Sequence, residues 1–248
     1  MLLLWIILFS LLSSIGVIIL IAAFLFIKEK VQKILIPCLI SYATGTLLAA
    51  ALLGLIPEAL ESGSSLKVIL LTVLGGIILF FILEKIVILR HCHELECDRH
   101  NIAGYMIIIG DAFHNAIDGI TIAASFLSSI QLGVVASISI IMHEIPQEIG
   151  DFGILLYSGY SKMKALFWNI VSSSTTLIAA IIAYYALGVI SNIIPYVMAI
   201  SAAGFLYIAL TDLYPELHHR GGFRHSICQF IIMLIGVGTI LLLLQFHL

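Results

Sequence analysis

Charge is what this sequence has least of. Only 10% of its 248 residues are Asp, Glu, Lys or Arg, against about 25% in a soluble domain. A chain so poor in charge cannot cover a water-facing surface. That excludes a disordered chain, a nucleic-acid-binding protein and a secreted scaffold. Cysteine is sparse as well. Cys38, Cys92, Cys97 and Cys228 make no disulfide-dense pattern and leave the redox compartment open. The strict alternation of apolar and polar residues that marks a membrane β-strand is also missing. The formal net charge of -3 decides little. What remains is 62% hydrophobic residues and a mean hydropathy of +1.20, the composition of an all-α integral membrane protein.

Eight apolar stretches can be marked, at residues 2–27, 36–57, 67–89, 103–128, 132–157, 165–188, 194–215 and 226–246. The first has no basic leader and is too long for a signal-peptide core, so it reads as a span. Of the eleven Lys and Arg, ten lie on one side: Lys28, Lys30, Lys33, Lys85, Arg90, Arg99, Lys162, Lys164, Arg220 and Arg224. Lys67 lies on the other. The bias predicts that the first side is cytoplasmic and that both termini are extracytoplasmic. Short loops suggest a bacterial or archaeal plasma membrane. Span 2 ends in Ala51-Leu52-x-x-Leu55-x-Pro57-Glu58 and span 7 in Ala209-Leu210-x-x-Leu213-x-Pro215-Glu216. Similar sequence on oppositely directed helices is the trace of an inverted-topology repeat.

Spans 4 and 5 break the apolar rule. Span 4 carries Asp111, His114, Asn115 and Asp118, continued by Thr121 and Ser125 at helical spacing. Span 5 carries His143, Glu144, Gln147, Glu148 and Asp151 around Pro146. A charged side chain at mid-membrane costs about 2.5–3.5 kcal/mol, so five unpaired carboxylates would cost about 12–17 kcal/mol. Neither span holds a Lys or Arg to offset this. The counter-charge must be protons or bound cations. Histidine, carboxylate and amide donors on two facing helices suit a borderline divalent metal such as zinc, iron(II) or manganese.

At these residues the chain resembles the ZIP (Zrt-, Irt-like) family of metal transporters. The matching motifs are His114-Asn115-Ala116-Ile117-Asp118-Gly119, and His143-Glu144-Ile145-Pro146-Gln147-Glu148 followed by Gly150-Asp151-Phe152. The second is similar to the HExPHE motif of one subgroup. The resemblance covers essentially the whole chain as a single transmembrane domain. It implies eight helices in a 3+2+3 arrangement, with helices 1–3 and 6–8 as the inverted halves around helices 4 and 5. It also implies passage of zinc, or of iron, manganese or cadmium, into the cytoplasm. His114, Asn115 and Asp118 match the family's span-4 ligands, His143, Glu144 and Gln147 those of span 5, and Glu148 completes the subgroup motif. Asp111 and Asp151 are assigned to the pathway.

Two departures stand out. Gln147 occupies the place of a second histidine. Span 6 offers Asn169, Ser172, Ser173, Thr175 and Thr176 where some members have an acid that helps hold a second metal. One strong site, with a second weak or absent, is therefore expected. Outside the spans, the cytoplasmic loop 90–102 gathers His91, Cys92, His93, Cys97 and His100, a set able to receive metal leaving the pathway. His218, His219 and His225 read as interfacial residues. Glu58 and Glu61 are either cation attractors or plain loop charges. No catalytic cofactor is expected; the metal is the cargo. The expected partners are divalent cations and the lipid bilayer, with homodimerisation open and no nucleic acid. Two other readings remain. An intramembrane zinc hydrolase would need a histidine at position 147, and a proton or monovalent-cation carrier would have little use for two intramembrane histidines.

Overall fold

The structure, a computed structural model, describes residues 1–24, 26–61, 65–89, 99–218 and 223–245. All regular elements among them are helical. They are α1 (Leu2–Leu11), α2 (Val17–Phe24), α3 (Glu29–Ala49), α4 (Ile56–Glu61), α5 (Leu66–Leu89), α6 (Arg99–Ser128), α7 (Ile130–Tyr157), α8 (Lys162–Val189), α9 (Ile194–Ile208), α10 (Tyr214–His218) and α11 (Phe223–Gln245), joined in places by short π or 3-10 turns. Seven continuous helical stretches among the described residues are long and apolar enough to cross a membrane: Leu2–Phe24, Glu29–Glu61, Leu66–Lys85, Ile107–Ser128, Lys162–Val189, Ser191–Leu217 and His225–Gln245. α7 has the length, at 28 residues, but His143, Glu144, Gln147, Glu148 and Asp151 make it too polar to count on composition.

Boundaries follow the apolar runs closely, with two instructive differences. α3 begins at Glu29, well before the expected start at 36, and carries Pro37 inside it. α6 begins at Arg99, so residues 99–102 of the expected loop are helical. Polar caps fix the starts of two helices. Ser129 is extended (φ -154°, ψ 152°) and its side chain accepts the Leu132 N–H at 3.1 Å, which starts α7 immediately after α6. The two helices therefore form a tight antiparallel hairpin, and residue 118 faces 143 and 144 across it. Ser161 caps α8 in the same way through the Lys164 N–H.

Three π turns interrupt the helices, at Leu12–Gly16, Ala50–Leu55 and Ala209–Leu213. The latter two fall on the repeated Ala-Leu…Pro-Glu segments. The Ile56 N–H bonds to the Ala51 carbonyl, and the Tyr214 N–H to the Ala209 carbonyl, at matching positions of the two motifs. Packing has a similar reciprocity: α3 lies along α11, and α5 lies along α9.

The hairpin of α6 and α7 is gripped by α8, whose contact with α6 is the most extensive in the fold. Gly119 makes it so close: a β-carbon there would lie 2.1 Å from the Thr176 carbonyl oxygen and 2.9 Å from the Ala180 nitrogen. Backbone cannot yield as a flexible side chain can. Gly119→Ala is expected to cost about 3 kcal/mol, at the upper end of overpacking effects. A fall in the thermal unfolding midpoint of the detergent-solubilised protein checks this; an unchanged midpoint would refute the close approach.

Around the hairpin turn the buried side chains are mainly apolar. Leu47, Leu55, Phe126, Leu132 and Ile140 are buried in one continuous cluster, and the Ser128 hydroxyl donates to Glu58 at 2.5 Å at its edge. Toward the opposite ends of α6 and α7 lies a cavity of about 600 Å³, lined by Asp111, His114, Gln147, Asp151, Asp212 and Glu216 among others.

Candidate metal site

His114 and Asp118 are one turn apart on α6, and His143 and Glu144 adjoin on α7. The antiparallel hairpin brings all four together, each offering one ligand atom within 4.8 Å of the others. His114 Nε2 lies 3.1 Å from His143 Nε2, 3.7 Å from Asp118 Oδ2 and 3.5 Å from Glu144 Oε1. His143 Nε2 lies 3.3 Å from Asp118 Oδ2 and 4.0 Å from Glu144 Oε1. Ligands of a tetrahedral zinc ion, at bond lengths of about 2.0–2.2 Å, are separated by about 3.3–3.6 Å. The five measured edges scatter around that value.

The orientation of His143 is fixed from behind. Its Nδ1 lies 3.0 Å from the Ser139 carbonyl oxygen, which can only accept. Nδ1 therefore carries a hydrogen, and Nε2 is turned into the cluster. The ring is fully buried and packs edge-on against Phe205, with centroids 6.2 Å apart. His114 is less enclosed. Its side chain is 21% exposed, and it lines both the large cavity and a smaller one of about 390 Å³ beside Glu84, Tyr207 and Asp212.

The other expected ligands are placed differently. The Asn115 amide donates to Asp111 Oδ1 at 2.8 Å and to the Asp111 carbonyl, while its oxygen accepts from the Thr176 hydroxyl at 2.7 Å. Asn115 thus faces α8 and holds Asp111. Gln147 and Ser172 also reach the Asp111 carboxylate. Glu148 is buried and accepts a hydrogen bond from the Ser173 hydroxyl. Asp151 lines the cavity. His91, Cys92, His93 and Cys97 lie outside the described residues, and so does the side chain of His100.

Ser139, Ser173 and Thr176 were not expected to serve the site. For Ser173 and Thr176 the signal lay in the polar face of α8, where Asn169, Ser172, Ser173 and Thr176 recur at helical spacing and are all buried. That face reads as a missing acid, yet its hydroxyls anchor the acids of the neighbouring helices.

The sequence profile of the family described as ZIP Zinc transporter matches residues 89–244, the part that holds the whole hairpin and its four-ligand cluster. The chain belongs to the ZIP family. It is therefore an integral membrane protein of a transporter family and not of an enzyme family. Among its relatives, the zinc transporter ZIP13 homolog of Drosophila melanogaster is 29% identical over an alignment 277 positions long, covering 85% of this chain and 78% of that protein. Zinc transporter ZIP10 of Danio rerio is 34% identical over 150 residues, 58% of this chain and 18% of that protein. Zinc transporter ZIP4 of Homo sapiens is 36% identical over 145 residues, 58% of this chain and 22% of that one. This ZIP chain thus spans under a fifth of the length of the ZIP10 relatives it matches. These relatives are eukaryotic and lend nothing to the expectation of a bacterial or archaeal membrane. The resemblance to the HExPHE subgroup continues to rest on the motif alone.

Proposed function

We propose that this chain carries zinc across the membrane through the four-ligand group of His114, Asp118, His143 and Glu144. The near-tetrahedral spacing of two imidazole nitrogens and two carboxylate oxygens carries this reading. Relatives named as zinc transporters support the choice of ion. On this reading α7 is an eighth span in spite of its polarity, because its polar face turns inward against α6 and α8. The reciprocal packing of α3 with α11 and of α5 with α9 is what two inverted three-helix halves around α6 and α7 would produce. The matched π turns favour the same 3+2+3 arrangement.

The bias of ten basic residues to one side supports a cytoplasmic position for the open cavity and an outer one for both termini. The apolar cluster around Phe126 then closes the outer side, so the conformation described is inward-open. Zinc enters from outside, exchanges its water for the four ligands, and leaves past Asp111, Gln147 and Asp151. Asn115 acts by holding Asp111. The segment with His91, Cys92, His93, Cys97 and His100 meets the ion where it emerges.

The test is zinc uptake into proteoliposomes by the parent and by Asp118→Ala/His143→Ala. Uptake by the parent and near-complete loss in the double variant are expected. Undiminished uptake in the variant would sink the site, and hydrolysis of a peptide or lipid without uptake would restore the enzyme reading.

A further inference from the structure

The smaller cavity, of about 390 Å³, lies between α5, α6 and α9. α5 and α6 each pack on α9 but share little contact with each other, which leaves a gap between them. Ile109 and Phe113, 52% and 53% exposed, edge that gap on the side of the bilayer's acyl chains. Phe80, Leu83, Ile117 and Ile208 continue the apolar wall. Toward the Lys85 end of α5 the lining changes to Glu84, Tyr207 and Asp212. The Tyr207 hydroxyl donates to Glu84 Oε2, and its ring stacks on Phe80 with centroids 6.2 Å apart. The Thr211 hydroxyl donates to Asp212 Oδ1 at 2.8 Å. Neither acid is paired with a Lys or Arg among the described residues. Lys85, next to Glu84 in the chain, instead holds its ammonium over the Phe81 ring, 5.6 Å from the centroid.

A space of this size falls in the range of small-molecule pockets. Two carboxylates without a basic partner, beside two stacked rings, suit an ammonium group. The apolar wall beyond them suits a hydrocarbon chain. A fatty-acid carboxylate in the same place would meet two like charges. The order of the lining points the same way. In the orientation proposed above, Glu84 is one turn nearer the cytoplasm than Phe80, and Ile117 lies two turns deeper in the bilayer than Ile109. Charge at the interface and hydrocarbon toward the midplane is how an amphiphile lies in one leaflet.

We propose that this cavity binds lipophilic amines, molecules with a protonated amine on a hydrocarbon chain, which enter from the cytoplasmic leaflet between α5 and α6. The ammonium is held by Glu84 and Asp212 beside the rings of Tyr207 and Phe80, and the chain runs along Phe113 and Ile117. His114 lines this cavity and the larger one alike, so an occupant presses on a zinc ligand and slows the passage of zinc. That last step rests on the reading of His114 as a transport ligand; the binding itself does not.

The test photolabels the full chain in detergent with an alkyl amine that carries a diazirine in its chain, and locates the label by mass spectrometry. Label should fall within residues 80–84 and 109–117. Dodecylamine should compete with it, whereas dodecanol and dodecanoic acid at the same concentration should not. Glu84→Gln should cut labelling there about tenfold, as loss of a charge-assisted contact implies. Gly110→Leu, which puts a side chain into open space at the cavity wall, should cut it with both acids intact. In proteoliposomes dodecylamine should inhibit zinc uptake by the parent. Glu84→Gln should take up zinc at the parental level and need about tenfold more amine for the same inhibition. Equal competition by dodecanol would mark an ordinary acyl-chain groove and overturn the proposal, as would unchanged labelling in Glu84→Gln. Equal inhibition of both proteins would assign it to charge on the bilayer and overturn the coupling to His114. The expected labelling in a parent that takes up no zinc would instead overturn the transport reading.

Discussion

His143→Ala is expected to lower zinc uptake by at least a hundredfold, and by clearly more than His114→Ala. Each change removes one of four ligand atoms from a group that water can replace only poorly. Their surroundings differ. His143 is wholly buried, pinned through Nδ1 by the Ser139 carbonyl and braced by Phe205. Its place is walled off by α7 and by Phe205 of α9, away from the cavities. His114 stands at the mouth of two cavities, where water can fill the vacated position and complete the ion's coordination. Uptake measured at saturating and at low zinc separates lost affinity from lost turnover. Equal loss in the two variants would show that enclosure plays no part, and full activity in His143→Ala would remove it from the site.

Acidification should act as strongly. The ligands bind metal only when deprotonated, so each that must shed a proton makes apparent affinity fall as pH falls. The sign is fixed: protons and zinc compete, and protons win at low pH. With several such ligands in the group, the decline should be steeper than one ligand alone would give. Replacing one imidazole should make it shallower. Zinc binding titrated by dialysis across a pH series, in the parent and in His114→Ala, checks both statements. A flat profile would mean that the histidines do not hold the ion.

The run of apolar residues made the helices legible in sequence to within a few residues at most ends, because hydrocarbon burial demands continuous helix. The hairpin partners were legible too: the short link at Ser129 leaves α6 and α7 no other course than to fold back. The π turns were not. Pro57 and Pro215 mark where the helices are disturbed, but proline alone does not say whether a kink, a break or a wider turn results. Nor could the sequence say which way Asn115 points. It is next to His114 in the chain, yet a single helical step of about 100° turns it toward α8, where Thr176 takes its oxygen. Likewise, Ser173 and Thr176 gain their role only from the close approach that Gly119 permits, a contact between helices far apart in sequence.

Glu144 also bears on speed. An ion stripped of all its ligands between two positions in a medium of low polarity would face a barrier on the order of 20 kcal/mol even for a single charge. Such a barrier allows roughly one crossing in a hundred seconds. Because Glu144 lies within 4.8 Å of Asp111 and Glu148 as well as of the two histidines, an ion held as proposed could exchange its bonds one at a time toward the cavity, and that complete stripping would be avoided. A residue that looks like one more acid in a crowded helix would then set how quickly the ion moves.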